Sequence, residues 1–199
     1  MPKPIDDRPT FYYNNDKELE IRAGGAIFYK IINDDIQFLL IHSRGKYEDF
    51  GGRTDKIDKS INHTIAREVD EESNNIFKQK DILKRIKNLQ PIFTRKSKYQ
   101  IYIIPLIDTE LQINVKDFGD REFHDDIPRT VEFISINKLL DKDFIKNNLC
   151  FRLKFSGFFK FVNELYSQYC KKDNIDIINT NESDDGIGEI VLKKKYKKL

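Results

Sequence analysis

Residues Gly51–Asn75 read GGRTDKIDKSINHTIAREVDEESNN, and two periodicities in this stretch set the fold around it. From Ile61 onward the apolar residues Ile61, Ile65 and Val69 recur four apart, the spacing of one face of an α-helix. Glu68, Glu71 and Glu72 fall at i, i+3 and i+4 on another stripe of the same helix. Like charges stacked this way repel by a few tenths of a kcal/mol per pair, so the arrangement needs a compensating gain. Hard oxygen donors grouped in one place suit Mg²⁺ or Mn²⁺, which take few carboxylates and keep room for water and substrate phosphates. The structural alternative is a solvated acidic helix face.

The glycine pair Gly51–Gly52 follows the apolar anchor Phe50 in a segment, Gly45–Asp58, that reads as a loop. Two glycines let the backbone turn tightly and approach an ion or a phosphate. Upstream, IRAGGAIFYKII (21–32) and IQFLLIHS (36–43) flank the turn formers Asn33, Asp34 and Asp35 and predict a hairpin. Gly24 and Gly25 weaken its first strand unless something passes close by, such as a bulge or the substrate backbone. Residues 1–20 predict an arm that orders on contact or a first edge strand around Phe11–Tyr13. Downstream, Lys78–Leu89 predicts a short helix or loop, Pro91–Thr94 and Tyr99–Leu106 a second hairpin, and Thr130–Ile136 a closing strand with a short helical step over Asn137–Leu140. A dense apolar helix is expected over Asp141–Tyr169, its aromatic residues forming core.

Arg67–Asn74, REVDEESN, resembles the second half of the Nudix box, whose pattern is Arg, Glu, apolar, any, Glu, Glu, any, Gly. The first half also fits, since five residues separate Gly52 from the acid Asp58. The chain departs from the pattern in two ways. Asp58 replaces Glu with eight residues before Arg67 instead of seven, and Asn74 stands where the pattern has Gly. Asn is the next most tolerant residue of the left-handed backbone at a helix end. Asp55 is the other residue that could fill the acid position.

The resemblance implies an α/β/α sandwich with a mixed central sheet, the box helix on one side and a C-terminal amphipathic helix on the other. It also implies a hydrolase that cleaves the phosphoanhydride of a nucleoside diphosphate linked to another moiety. Glu68, Glu71 and Glu72 and the carbonyl of Gly52 would ligate Mg²⁺, with Mn²⁺ as the other option. Arg67 would brace Asp58. Arg22 and Arg44 become candidates for phosphate contacts. Within the long acidic connection 108–129, Glu122, Asp125 and Asp126 are candidates for a further ligand or base. His42, His63 and His124 are expected to be satisfied or exposed, because the chemistry needs carboxylates. The alternatives are hydrolysis at an mRNA cap or RNA 5′ end, and a non-catalytic nucleotide-binding module of the same fold. The resemblance also allows a homodimer.

Composition bounds the rest. The 199 residues are 39% hydrophobic and 34% charged, enough for one core, and the expected organisation is a domain over 1–170 and a charged tail over 171–199. A net charge of +2 gives no global attraction to nucleic acid. The tail does end in KKKYKKL (193–199), a basic run that could touch RNA. Cys150 and Cys170 are too few for a disulfide framework. No run approaches 18 apolar residues and the opening MPKPIDDRPT lacks the apolar core of a signal peptide, so a cytoplasmic protein without membrane contact is expected.

Overall fold

The computed structural model describes residues 7–122, 126–154 and 157–170. The tail, with its basic run, its expected strand over 187–192 and any RNA contact, lies outside the described residues, as do His124 and Asp125.

Among the described residues, nine strands and six α-helices follow one another along the chain. They are β1 (Phe11–Tyr12), β2 (Glu20–Ile21), β3 (Ala23–Ile32), β4 (Asp35–Ser43), β5 (Lys46–Glu48), β6 (Phe50–Arg53), α1 (Ile61–Glu72), α2 (Gln79–Ile86), β7 (Ile92–Thr94), β8 (Tyr99–Pro105), β9 (Arg129–Ser135), α3 (Ile136–Leu139), α4 (Lys142–Asn148), α5 (Phe151–Lys154) and α6 (Phe158–Tyr169). β3 and β4 form the expected hairpin, and its turn places Asn33 and Asp34 at φ 50° and 64°. These are the left-handed angles that a two-residue hairpin turn requires and that Asn and Asp tolerate. Beyond Phe28 and Leu39 the two strands part. β3 then takes β6 as its antiparallel neighbour over Ala23–Ala26, and β4 takes β5 over Ile41–Ser43. β8 runs parallel to β3, β7 pairs with β8, and β9 lies antiparallel along β4, so the seven-stranded sheet is mixed.

Alternation along β3 divides the interior in two. Ala26 and Phe28 face a cluster with Ile65 and Val69 of α1 and Ile82 and Ile86 of α2. Ile27 and Tyr29 face the opposite cluster with Phe158, Phe161, Val162 and Leu165 of α6. The result is the α/β/α sandwich that the resemblance implies, with α1 and α6 on opposite sides of the sheet. In the first cluster Phe28 stacks on Phe77 with ring centroids 4.0 Å apart, and Phe50 and Phe118 pack around them. Each fully buried phenylalanine contributes roughly 2–3 kcal/mol. Phe118 thereby ties the long connection ahead of β9 to the core beneath α1.

Two sequence expectations are corrected. Gly45–Asp58 is not a loop throughout, because Lys46–Glu48 and Phe50–Arg53 are strands. Glycine has poor strand propensity, yet Gly51 and Gly52 lie opposite Gly25 and Gly24 in register, and the paired glycines leave space that other side chains fill. The segment 141–169 is not one helix but α4, α5 and α6. The break after α4 arises where Leu149 bridges Tyr47 of β5 and Cys150 donates its amide to the Tyr47 carbonyl. No described helix is long and apolar enough to cross a membrane.

Candidate active site

The site is built where α1 crosses β6. Ser60 caps α1, its backbone extended and its hydroxyl accepting from the His63 amide, which satisfies one of the helix's free N–H groups. The His63 ring lies 2.8 Å from the same hydroxyl, while His42 stacks on Tyr47. From this start the periodicity carries Glu68 and Glu72 toward the glycine strand. A Cβ added at Gly52 would fall 2.2 Å from Oε2 of Glu68, so the missing side chain is what makes room for that carboxylate. One turn on, Oε2 of Glu72 accepts the Gly51 amide at 2.5 Å.

Arg67 leaves the helix on the neighbouring side. Its Nε and Nη2 grip both oxygens of Asp58 at 3.1 and 3.0 Å, and Nη2 also reaches the Arg53 carbonyl. Nη1 lies 2.9 Å from Glu68 and 3.0 Å from Glu71. Thr64 and the Asp55 amide donate to Asp58 as well. Asp58, and not Asp55, is therefore the acid that receives the guanidinium, despite the extra residue before Arg67. Burial alone would raise the Asp58 carboxyl, but the donors from Arg67, Asp55 and Thr64 outweigh it and hold the group below the ordinary aspartate value.

The three glutamates do not converge on one point. Glu68 and Glu72 turn toward β6, whereas Glu71 is more exposed, and Glu68 and Glu71 share Nη1 of Arg67. Among the described residues no three His, Cys, Asp or Glu side chains are drawn together as a ready-made cation cage. The electrostatics nonetheless show a surplus of negative charge. Burial first, then Glu71 and Asp58 against the opposing pull of Arg67, pushes the Glu68 carboxyl up to about 7. Glu72 is raised well above its ordinary value, mainly by burial and then by Glu122, Asp49 and Glu68, with the Gly51 amide opposing. Carboxylates that resist ionisation because they crowd one another in a dry place are relieved by a bound cation. Hard oxygen donors of this kind fit Mg²⁺ or Mn²⁺.

Behind the glycines lies a second polar group, assembled from residues far apart in the chain. Asp49 is fully buried in the step between β5 and β6. It accepts from the Tyr99 hydroxyl and, at 3.2 Å, from Arg152 of α5, whose guanidinium also lies 5.0 Å from the Tyr99 ring centre. Cβ atoms at Gly25 and Gly51 would fall 2.2 Å from Oδ2 of Asp49 and 2.3 Å from the Tyr99 hydroxyl. The glycines of β3 are thus explained by buried side chains and not by a bulge.

The other sequence candidates are scattered. Arg22 donates to the Arg8 carbonyl at 3.1 Å, and Arg44 occupies the left-handed turn between β4 and β5 at φ 50°. Neither bonds to Glu68 or Glu72 among the described contacts. Asp126 is exposed, 3.8 Å from Arg121. Glu122 is half-buried, its charge acts on Glu72, and it lies 3.8 Å from Nη1 of Arg129. Arg129, at the start of β9, is a buried residue that the sequence did not single out.

No family model matches the chain, and no curated protein matches it. Several solved structures are similar to it. A C. elegans Ap4A hydrolase in a binary complex is 15% identical over 75% of this chain and 97% of that one, with a TM-score of 0.41. Shewanella oneidensis NrtR is 12% identical over 73% of this chain and 62% of its own, with a TM-score of 0.46. The Nudix domain of that protein complexed with ADP ribose is 12% identical over 74% and 86%, with a TM-score of 0.43. With TM-scores below 0.5, nothing about substrate or chemistry follows from these likenesses.

Proposed function

We propose that the chain is a Nudix-type hydrolase that cleaves the phosphoanhydride of a nucleoside diphosphate linked to another group. The observation that carries this reading is the seating of Glu68 in the space left by Gly52, one turn from Glu72 on the Gly51 amide. Glu68 and Glu72, with the Gly52 carbonyl and Glu122 beside them, are the groups that would hold a divalent cation. Glu71 would join only by leaving Arg67. The bound cation would supply charge neutralisation and orientation of the diphosphate.

The chain's own residues do the rest. Arg67 locks Asp58 and the loop after β6 to α1, so the glutamates and the glycine strand keep one geometry. The oxygen of a water molecule bonds to phosphorus while the bond to the bridging oxygen breaks. A carboxylate of the set not engaged with cation takes the water's proton. The bridging oxygen leaves on the other phosphate, giving a nucleoside monophosphate and a phosphorylated remainder.

The test is chromatographic detection of the nucleotide and of the phosphorylated remainder formed from a panel of nucleotide sugars, dinucleoside polyphosphates, coenzyme A, damaged triphosphates and capped RNA, with Mg²⁺ and with EDTA. Wild-type protein is expected to turn over at least one class only with the cation. Glu72→Gln should lose about 100-fold or more in kcat. Equal rates in both proteins would overturn the enzymatic reading, and tight nucleotide binding without turnover would favour the non-catalytic module.

A further inference from the structure

Arg129 is the least satisfied charge in the described structure. Its side chain is 1% exposed, and none of Nε, Nη1 and Nη2 makes a hydrogen bond among the described residues. A buried guanidinium carries five donors that water would otherwise occupy, and leaving them unmet is costly. Its backbone is fixed, since the Arg129 amide bonds to the Asp120 carbonyl and the residue lies opposite Ser43 in the β4–β9 ladder. The strand therefore holds the cation in place. Among the described residues the acid within ion-pair reach is Glu122, 3.8 Å from Nη1, too far for a hydrogen bond. Glu72 is the other carboxylate whose charge acts on it. A rigidly placed fork of donors thus stands beside the acid set with a single loose ionic neighbour among the described residues.

We propose that Arg129 is an anion receptor of the site: its guanidinium donates to non-bridging oxygens of the substrate's diphosphate, displacing Glu122 from its present place beside Nη1. The proposal rests on the hydrolase reading for the identity of the anion. A planar guanidinium matches two oxygens of a phosphate in a fork, a geometry that a carboxylate at 3.8 Å does not use. Glu122, freed from Arg129, is then available to the cation that the neighbouring glutamates would share. One exchange satisfies the buried donors and adds a carboxylate to the cation at the moment substrate arrives. Neither Arg22 nor Arg44, the arginines marked by the sequence, has buried donors awaiting a partner among the described residues.

The probe is methylenediphosphonate, whose P–C–P bridge resists hydrolysis, titrated calorimetrically into the full chain with Mg²⁺ and separately in EDTA. With Mg²⁺, Arg129→Gln is expected to lose about 10- to 100-fold in affinity, the worth of charge-assisted hydrogen bonds. Its affinity for Mn²⁺ alone should not fall below the wild-type value, because the substitution takes a positive charge away from the acid set, and Arg129→Lys should recover part of the loss in probe affinity. In EDTA, Glu122→Gln is expected to bind the probe more tightly than wild type, because the competing carboxylate charge has gone. This arm decides the matter if Arg129→Gln does not fold. Wild-type affinity in Arg129→Gln, a parallel loss of Mn²⁺ affinity, or unchanged affinity in Glu122→Gln would overturn the proposal. A wild-type protein that binds the probe through Arg129 but hydrolyses nothing would instead defeat the hydrolase reading and leave the receptor standing.

Discussion

Gly52 lies so close beneath Glu68 that a Cβ on it would stand 2.2 Å from Oε2, whereas a Cβ on the adjacent Gly51 would stand 2.4 Å from the Cα of Gly25. The two glycines of the pair therefore serve different ends, one leaving space for a carboxylate and the other for a neighbouring strand.

Replacing each by alanine should separate those ends. In Gly52→Ala the obstructing atoms belong to the far end of a flexible side chain, so the fold should lose only about 1 kcal/mol while the Glu68 carboxylate is expelled. In Gly51→Ala the obstruction includes the Gly25 Cα and, at 2.6 Å, the Gly24 carbonyl, and backbone cannot swing aside. That variant should lose about 3 kcal/mol or more. Thermal unfolding and Mn²⁺ titration of the two proteins check the split: Gly52→Ala should melt near wild type but bind the ion weakly.

The Arg67–Asp58 pair makes an acid-limb prediction. Asp58 is held below its ordinary value of 3.8, its donors outweighing burial. A depressed carboxyl contributes stability that is present above the unfolded value and lost as pH falls through the folded one. Wild-type protein should therefore lose this contribution below about pH 4. Asp58→Asn, which leaves the buried Arg67 without its main partner, should be less stable by about 2–4 kcal/mol at pH 7. Its stability should then fall less steeply than wild type's between pH 5 and pH 3, as chemical denaturation at each pH would show.

Glu68 predicts the opposite slope on the neutral side. Its carboxyl is pushed up to about 7 from 4.5, first by burial and then by Glu71 and Asp58. A folded value above the unfolded one means stability fully present below about 4.5 and lost as pH rises through about 7. Without divalent ions, the melting temperature should therefore decline between those limits, and Glu68→Gln should flatten much of the decline. Adding Mg²⁺ should raise the melting temperature far more at pH 8 than at pH 5, because protons then no longer compete for the carboxylates. A Mg²⁺ effect independent of pH would contradict the assignment of Glu68 to the cation.

The helix bearing these acids was legible because its core face repeats every four residues and its polar face concentrates carboxylates. The β3–β4 hairpin was legible from Asn33 and Asp34, whose side chains tolerate the left-handed turn. β6 was not. Its two glycines carry no strand signal, and they belong in a sheet only because Gly24 and Gly25 of β3 face them. Asp49, Tyr99 and Arg152 were invisible for a different reason: each is an ordinary residue until a fold brings positions 49, 99 and 152 into contact. Arg129 lies at the last residue of the connection expected over 108–129, one residue before the expected strand, and local sequence says nothing of whether an arginine there is buried. The break at Leu149 likewise depends on a bridge to Tyr47, some hundred residues earlier, that apolar spacing alone does not encode.

Asn74, the residue that departs from glycine in the box pattern, does something glycine could not. It takes a left-handed φ of 51° at the end of α1, and its Nδ2 donates to the Phe118 and Arg121 carbonyls at 2.7 and 2.9 Å. The side chain thus fastens the end of the helix carrying Glu68 and Glu72 to the segment that leads into Glu122. Asn74→Gly would keep the backbone angle at no steric cost but remove both bonds. The expected loss is about 1–2 kcal/mol of stability. Faster amide hydrogen exchange should appear over residues 118–122, with the amides of α1 little changed. If Glu122 acts with the glutamates of α1, the same variant should weaken diphosphate turnover more than it lowers the melting temperature would suggest. Asn74→Asp, which keeps the left-handed preference but exchanges the donor for an acceptor facing two carbonyls, should be worse than glycine in both respects. An Asn74→Gly protein with wild-type exchange over 118–122 would show that Phe118, buried in the core, holds the segment without help.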